Sequence, residues 1–171
     1  MALVAIREAK RSDLPGITEI YNYYIVNTPI TFDVTPVTPE DRSGWFEEYT
    51  STPRHRLFVA EEAGKIIGYA GTGRFRDKAA YDTSVETTIY CAQEATGRGV
   101  GAMLYAALFD ALKDADIHRL LAGITLPNDA SIKLHRRFGF TDVGVFNECG
   151  RKFERYWDVV WTERPLRLGG E

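Results

Sequence analysis

The heptapeptide Thr96-Gly97-Arg98-Gly99-Val100-Gly101-Ala102 separates two segments of opposite periodicity. Before it, Thr83–Cys91 is rich in β-branched residues and reads as a strand. After it, Met103, Leu104, Ala107, Leu108, Ala111 and Leu112 recur at helical spacing within Ala102–Ala115. Glycines allow a tight turn and close approach of the backbone to a phosphate. The free N–H groups and dipole of the following helix favour an anion there, and Arg98 adds positive charge. Glycine loops also serve as plain turns, so the neighbouring elements must decide.

Working outward, Val4–Ala9 predicts a strand, and Ser12 or Asp13 can cap a helix that carries Pro15 early and Leu14, Ile17, Ile20, Tyr21 and Tyr24 on one face. A loop with Thr31-Phe32-Asp33, Pro36 and Pro39 follows, and Pro39-Glu40-Asp41 starts a second helix bearing Trp45, Phe46 and Tyr49. Ala63-Gly64 joins strands Arg56–Glu62 and Lys65–Arg74 as a hairpin. Downstream come a strand at Arg119–Leu126, a helix from Asn128 to a stop at Gly139, and strands at Phe140–Phe146 and Phe153–Trp161. A meander that gives way to alternating strands and helices predicts an α/β (α+β) domain with a mixed sheet and helices on both faces. Residues 1–171 suit one domain, with its core at about 4–162.

Composition narrows the function. Of the 171 residues 44% are apolar and 26% charged, and the net charge of −3 argues against a basic nucleic-acid-binding face. No apolar run reaches the length of a membrane span, and the opening MALVAIREAKRSD lacks a signal-peptide core. Cys91 and Cys149 lack metal-ligand spacing and are too few for a disulfide framework, so no metal and a reducing cytoplasm are expected. A Walker loop is excluded because Val100-Gly101-Ala102 stands where Gly-Lys-Ser/Thr is required. The dinucleotide pattern Gly97-x-Gly99-x-x-Ala102 is met, yet some ninety residues precede it and the next strand ends in Pro127-Asn128 rather than an acid.

The loop resembles the coenzyme A pyrophosphate loop of the GNAT N-acetyltransferases, Arg/Gln-x-x-Gly-x-Gly/Ala, with Gly99 and Gly101 in place and Thr96 where Arg or Gln is usual. Within that family the chain is similar to the phosphinothricin and methionine sulfoximine acetyltransferases, from about Val4 to Trp161. Ile6-Arg7-Glu8-Ala9, Ile20-Tyr21-Asn22, Arg76-x-Lys78-x-x-Tyr81, Val85-Glu86-Thr87-Thr88-Ile89-Tyr90, Leu126-Pro127-Asn128-Asp129-Ala130-Ser131, Leu134-His135-Arg136-Arg137-Phe138-Gly139-Phe140 and Gly150-Arg151-Lys152-Phe153 carry the likeness in order.

The resemblance implies a largely antiparallel sheet, acetyl-CoA as cosubstrate and a small amino-acid-like amine as acceptor. It implies Glu86 as general base and His135 as a second catalytic group, either a proton donor to the leaving thiolate or a binding residue. It places Phe32, Arg76, Lys78, Tyr81, Glu86, Thr87 and Thr88 around the acceptor. Ile89, Tyr90, Cys91, Gly97, Arg98, Gly99, Val100, Gly101, Ala102 and Asn128 would hold the cosubstrate. It also implies a homodimer. Chemically, arginine and lysine suit a carboxylate or phosphinate, and a half-desolvated glutamate suits proton removal at neutral pH. Cys91 has no partner to activate it as a nucleophile. Lys133, Arg136 and Arg137 read best as the wet side of their helix, and His55 and His118 as surface residues. The rival readings are transfer to peptide N-termini or polyamines, a non-catalytic acyl-CoA sensor, and a nicotinamide-binding oxidoreductase.

Overall fold

A computed structural model describes residues 3–167. The strands are β1 Val4–Glu8, β2 Leu57–Glu62, β3 Lys65–Arg74, β4 Ser84–Cys91, β5 Arg119–Thr125, β6 Thr141–Lys152 and β7 Arg155–Pro165. The helices are α1 Leu14–Asn27, α2 Ser43–Tyr49, α3 Val100–Leu112 and α4 Asp129–Arg137. All seven strands form one sheet in the order β1-β2-β3-β4-β5-β7-β6. β4 and β5 run parallel, and every other neighbouring pair is antiparallel. This is the mixed, largely antiparallel sheet expected.

Alternation along β2 divides the core. Leu57 and Val59 face a cluster with Leu14, Ile17, Ile20 and Tyr24 of α1 and Phe46 of α2. Phe58 and Ala60 face Val100, Leu104, Tyr105, Leu108 and Leu112 of α3, with Leu134 of α4 and Phe138 just after it packed alongside. Period-2 strands thus present apolar residues to both sides, and helices cover both. Ala63 (φ 50°) and Gly64 (φ 79°) are both left-handed, as a two-residue hairpin turn requires.

Four local expectations change. The helix foreseen at Pro39 begins at Ser43, because the Asp41 carboxylate turns back to accept from the Thr38 N–H (2.8 Å) and hydroxyl (2.9 Å). Asp13 does not cap α1 with its side chain. Its carboxylate instead takes both Arg7 nitrogens (2.7 and 2.8 Å) and the Lys10 N–H (2.7 Å). His55 is buried rather than exposed, with Nδ1 3.2 Å from the Glu48 carbonyl at the end of α2. The last two strands also run on to Lys152 and Pro165, longer than periodicity indicated.

Glycines let α2 reach the sheet. A Cβ at Gly71 would lie 2.8 Å from the Arg56 carbonyl oxygen and 2.8 Å from Cδ1 of Tyr49. A Gly71→Ala variant is therefore expected to lose about 1–3 kcal/mol of stability. Urea denaturation checks this, and an unchanged midpoint would show that α2 can lift without cost.

Candidate active site

β4 and β5 pair only over Ser84–Glu86 and Arg119–Leu121. Beyond Glu86 the two strands part, while β5 stays paired with β7 along its whole length. The β4 edge from Thr87 to Cys91 therefore has no strand partner on that side and opens on a cleft of about 470 Å³. Glu86, Thr87, Thr88, Ile89, Tyr90 and Cys91 line it from β4, Gly97 and Gly99–Ala102 from the glycine loop, and Asn128, Lys133, His135 and Arg137 from the other wall.

The loop has the geometry the glycines foretold. Gly97 (φ 76°) and Gly99 (φ 81°) are left-handed, and Gly99 precedes α3 without a side-chain cap. The first bond of the helix runs from the Met103 N–H to the Gly99 carbonyl (3.1 Å). The N–H groups of Val100, Gly101 and Ala102 thus have no helical acceptor and border the cleft. Arg98 behaves differently from expectation. Its guanidinium forks onto Glu62 at 2.6 and 3.1 Å, and its backbone N–H bonds the Ala95 carbonyl. Arg98 neutralises Glu62 and ties the loop to β2, so positive charge at the cleft comes from Lys133 and Arg137 instead. Those two were read as a wet helix face. Only Arg136 fits that reading, pairing with Asp142 at 3.0 Å.

Glu86 is half-buried on the last paired position of β4. Burial raises its carboxyl pKa above 4.5, and the charge of Arg76 partly offsets this. Asn128 caps α4 by accepting the Ser131 N–H at 3.2 Å, which leaves its amide nitrogen free to donate. Cys91 is an inert packing residue: burial pushes its thiol up to about 11, and its carbonyl accepts the Tyr24 hydroxyl (2.7 Å).

His135 is buried, and both ring nitrogens are engaged. Nδ1 lies 2.8 Å from the Ser131 carbonyl and must donate to it. Nε2 lies 2.8 Å from the hydroxyl of Tyr105, a fully buried residue. Burial lowers the imidazole pKa, so the ring is neutral and Nε2 accepts from Tyr105. Neither nitrogen is left for a substrate, which is not the arrangement a proton donor needs.

The remaining predicted residues lie apart from the cleft wall. Arg76, Lys78 and Tyr81 line a second depression with Glu48 and Phe75, where Arg76 stacks on Phe75 at 4.9 Å. Charge still couples Arg76 to Glu86. Phe32 sits over Gly150, two residues beyond Ile30, which borders the cleft.

Sequence reasoning passed over Arg42. The residue is 7% exposed, and its guanidinium lies 3.9 Å from the Trp45 ring centre and 4.3 Å from that of Tyr21, with one nitrogen unpaired. The i, i+3 spacing of Arg42 and Trp45 was the available signal. Among the described residues no group of three or more His, Cys, Asp or Glu is placed to hold a metal ion, and no helix is long and apolar enough to cross a membrane.

The chain is similar to known proteins along nearly its whole length. The family model described as "Acetyltransferase (GNAT) domain" matches residues 6–161. A phosphinothricin N-acetyltransferase of Streptomyces coelicolor is 53% identical over 167 residues, covering 96% of this chain and 98% of the relative. An L-methionine sulfoximine/L-methionine sulfone acetyltransferase of Pseudomonas paraeruginosa is 35% identical, covering 95% and 94%. Among solved structures, a phosphinothricin acetyltransferase of Sinorhizobium meliloti in complex with acetyl-CoA superposes with a TM-score of 0.89 at 33% identity, covering 95% and 88%.

The His135 pair has a pH signature. Its folded pKa lies below the ordinary 6.5, so the unfolded chain binds the proton more tightly. The resulting stability is present above pH 6.5 and is lost as pH falls from there through the folded pKa. Tyr105→Phe leaves buried Nε2 without a donor and is expected to cost about 1–3 kcal/mol at pH 7. Denaturation from pH 5 to 8, with the imidazole titration followed by NMR, checks both. A ring that titrates at or above 6.5 would contradict the neutral, bonded imidazole.

Proposed function

The chain belongs to the GNAT acetyltransferases and uses acetyl-CoA, and from that premise we propose that it acetylates the α-amine of a small anionic amino-acid-like compound of the methionine sulfoximine, methionine sulfone or phosphinothricin class, with Glu86 as general base. The observation that carries this reading is the unpaired, partly desolvated Glu86 carboxylate at the point where β4 leaves β5.

The cosubstrate supplies an activated acetyl group as a thioester. The cleft suits it, since its walls offer the orphan N–H groups of Val100–Ala102, two cations at Lys133 and Arg137, a donor on Asn128 and an unpaired strand edge. Glu86 takes one proton from the acceptor ammonium, through a water molecule, leaving a nitrogen lone pair to attack the thioester carbon. N–H groups on the open β4 edge face the carbonyl oxygen as its charge grows. The carbon–sulfur bond breaks, and the second amine proton neutralises the departing thiolate. His135, already bonded on both sides, enters as the residue that fixes Tyr105 beneath the cleft. Arg76 and Lys78 attract the acceptor's anionic group, and Tyr81, Thr88 and Phe32 shape its pocket.

We further propose that the chain forms one domain, works in the cytoplasm and pairs as a homodimer. The exposed Val143, Val145 and Phe146 on edge strand β6 support the pairing.

Thiol release from acetyl-CoA against methionine sulfoximine, phosphinothricin, ordinary amino acids, short peptides and spermidine tests the assignment. Turnover is expected for the first two, and turnover confined to peptides or spermidine would overturn the acceptor class. Glu86→Gln should lower kcat by about a hundredfold or more with coenzyme A affinity nearly unchanged. In the wild type kcat/KM should rise with pH through an inflection above 4.5, and that limb should vanish in the variant. A Glu86→Gln enzyme with wild-type turnover would remove Glu86 from the reaction.

A further inference from the structure

The segment after α1 is clamped by the far end of β6. Gly150 has no side chain where the Phe32 ring rests: a Cβ there would overlap Cε2 and Cζ of Phe32 and lie 2.6 Å from Cδ2. Two residues on, Lys152 is 5% exposed and its ammonium donates to the Thr31 carbonyl at 2.7 Å. Burial lowers the Lys152 pKa, and Asp33 is the one charge that offsets this. On the opposite side Tyr21 of α1 holds the Thr31 hydroxyl at 2.8 Å and the Asp33 carboxylate at 2.7 Å. Three successive residues are therefore fixed from two elements, and Lys152 lies 121 positions from the Thr31 it holds. Burying a lysine ammonium with one carbonyl and the Phe153 ring, 5.3 Å away, as its partners is costly, and a surface loop needs no such anchor.

We propose that Gly150 and Lys152 are positioning residues for acceptor specificity, acting through Phe32. Gly150 sets how far the Phe32 ring stands from β6, and Lys152 sets the height of the backbone that carries it. The inference rests on the acceptor reading above, in which Phe32 forms one wall of the pocket. Adding a methyl group at Gly150 leaves the ring one way to move, away from β6 into the space in front of it. That shortens the pocket while leaving Glu86 and the glycine loop untouched.

The test is a double-mutant cycle on the full chain with Phe32→Ala, Gly150→Ala and the pair. KM and kcat are read for methionine sulfone and a short-chain amino acid, and calorimetry of methionine sulfone with the coenzyme A-loaded protein gives Kd. Gly150→Ala should raise KM and Kd for the long acceptor about tenfold, and less for the short one, with kcat little changed. In the Phe32→Ala background, adding Gly150→Ala should change neither constant, because the ring it acts through is gone. Lys152→Met leaves the Thr31 carbonyl without its donor and should move KM in the same direction. It serves as the readout if Gly150→Ala is too unstable to assay.

Unchanged KM and Kd in Gly150→Ala, or equal shifts with and without the Phe32 ring, would overturn the proposal while an active wild type left the acetyltransferase reading standing. A wild type that binds methionine sulfone without turning it over would sink the catalytic reading, yet Kd would still report on the clamp. A wild type that binds no acceptor overturns both.

Discussion

Everything at this site follows from one constraint on backbone hydrogen bonding: a parallel pairing that stops after three residues. Ser84–Glu86 pair with Arg119–Leu121, and then the partners separate. β5 has β7 for its other edge, and its polar groups on that side are satisfied throughout. Beyond Glu86, β4 has β3 on one edge and no strand on the other. Backbone donors and acceptors left in this way must find water or a ligand. An internal strand with one bare edge is a site made by topology, before any side chain is considered.

The side chains then divide the work by face. Residues opposite one another on antiparallel strands share a face, so Glu86, Thr88 and Tyr90 lie with Gly73, Gly71 and Tyr69 toward α1 and α2. Thr87, Ile89 and Cys91 lie toward α3 and α4, with Tyr105 and His135 beneath Thr87. The ionisable group that could exchange protons and the imidazole that is locked therefore stand on opposite sides of one strand. Burial moves their pKa values in opposite senses, the carboxyl upward and the imidazole downward, because in both cases it disfavours the charged form.

Much of this was legible in the sequence, and for identifiable reasons. Gly97 and Gly99 need positive φ, Asn128 is a capping residue followed by a helical period, and Ala63-Gly64 is a hairpin turn; each is a local rule with a local outcome. What escaped depended on partners distant in sequence. Arg98 looked available until β2 brought Glu62 beside it. Lys133 and Arg137 differ from Arg136 only in azimuth around α4, and composition carries no azimuth. His55 seemed superficial because no periodic segment claimed it, yet the end of α2 folds over it. The role of His135 turned on Tyr105, thirty residues earlier, whose hydroxyl no motif singled out.

The bare edge of β4 and the anchoring of Thr31 by Lys152 have a joint mechanical meaning. Strands β1–β4 and strands β5–β7 form two plates of one sheet, welded where Glu86 meets Leu121. A buried lysine on the second plate grips the loop that follows α1 on the first. A seam fastened at one end only would gape like a hinge, and its width would drift with thermal motion. Two fastenings convert it into an aperture of fixed gauge. A molecule lying in this opening therefore meets a width set at two points of the sheet rather than one.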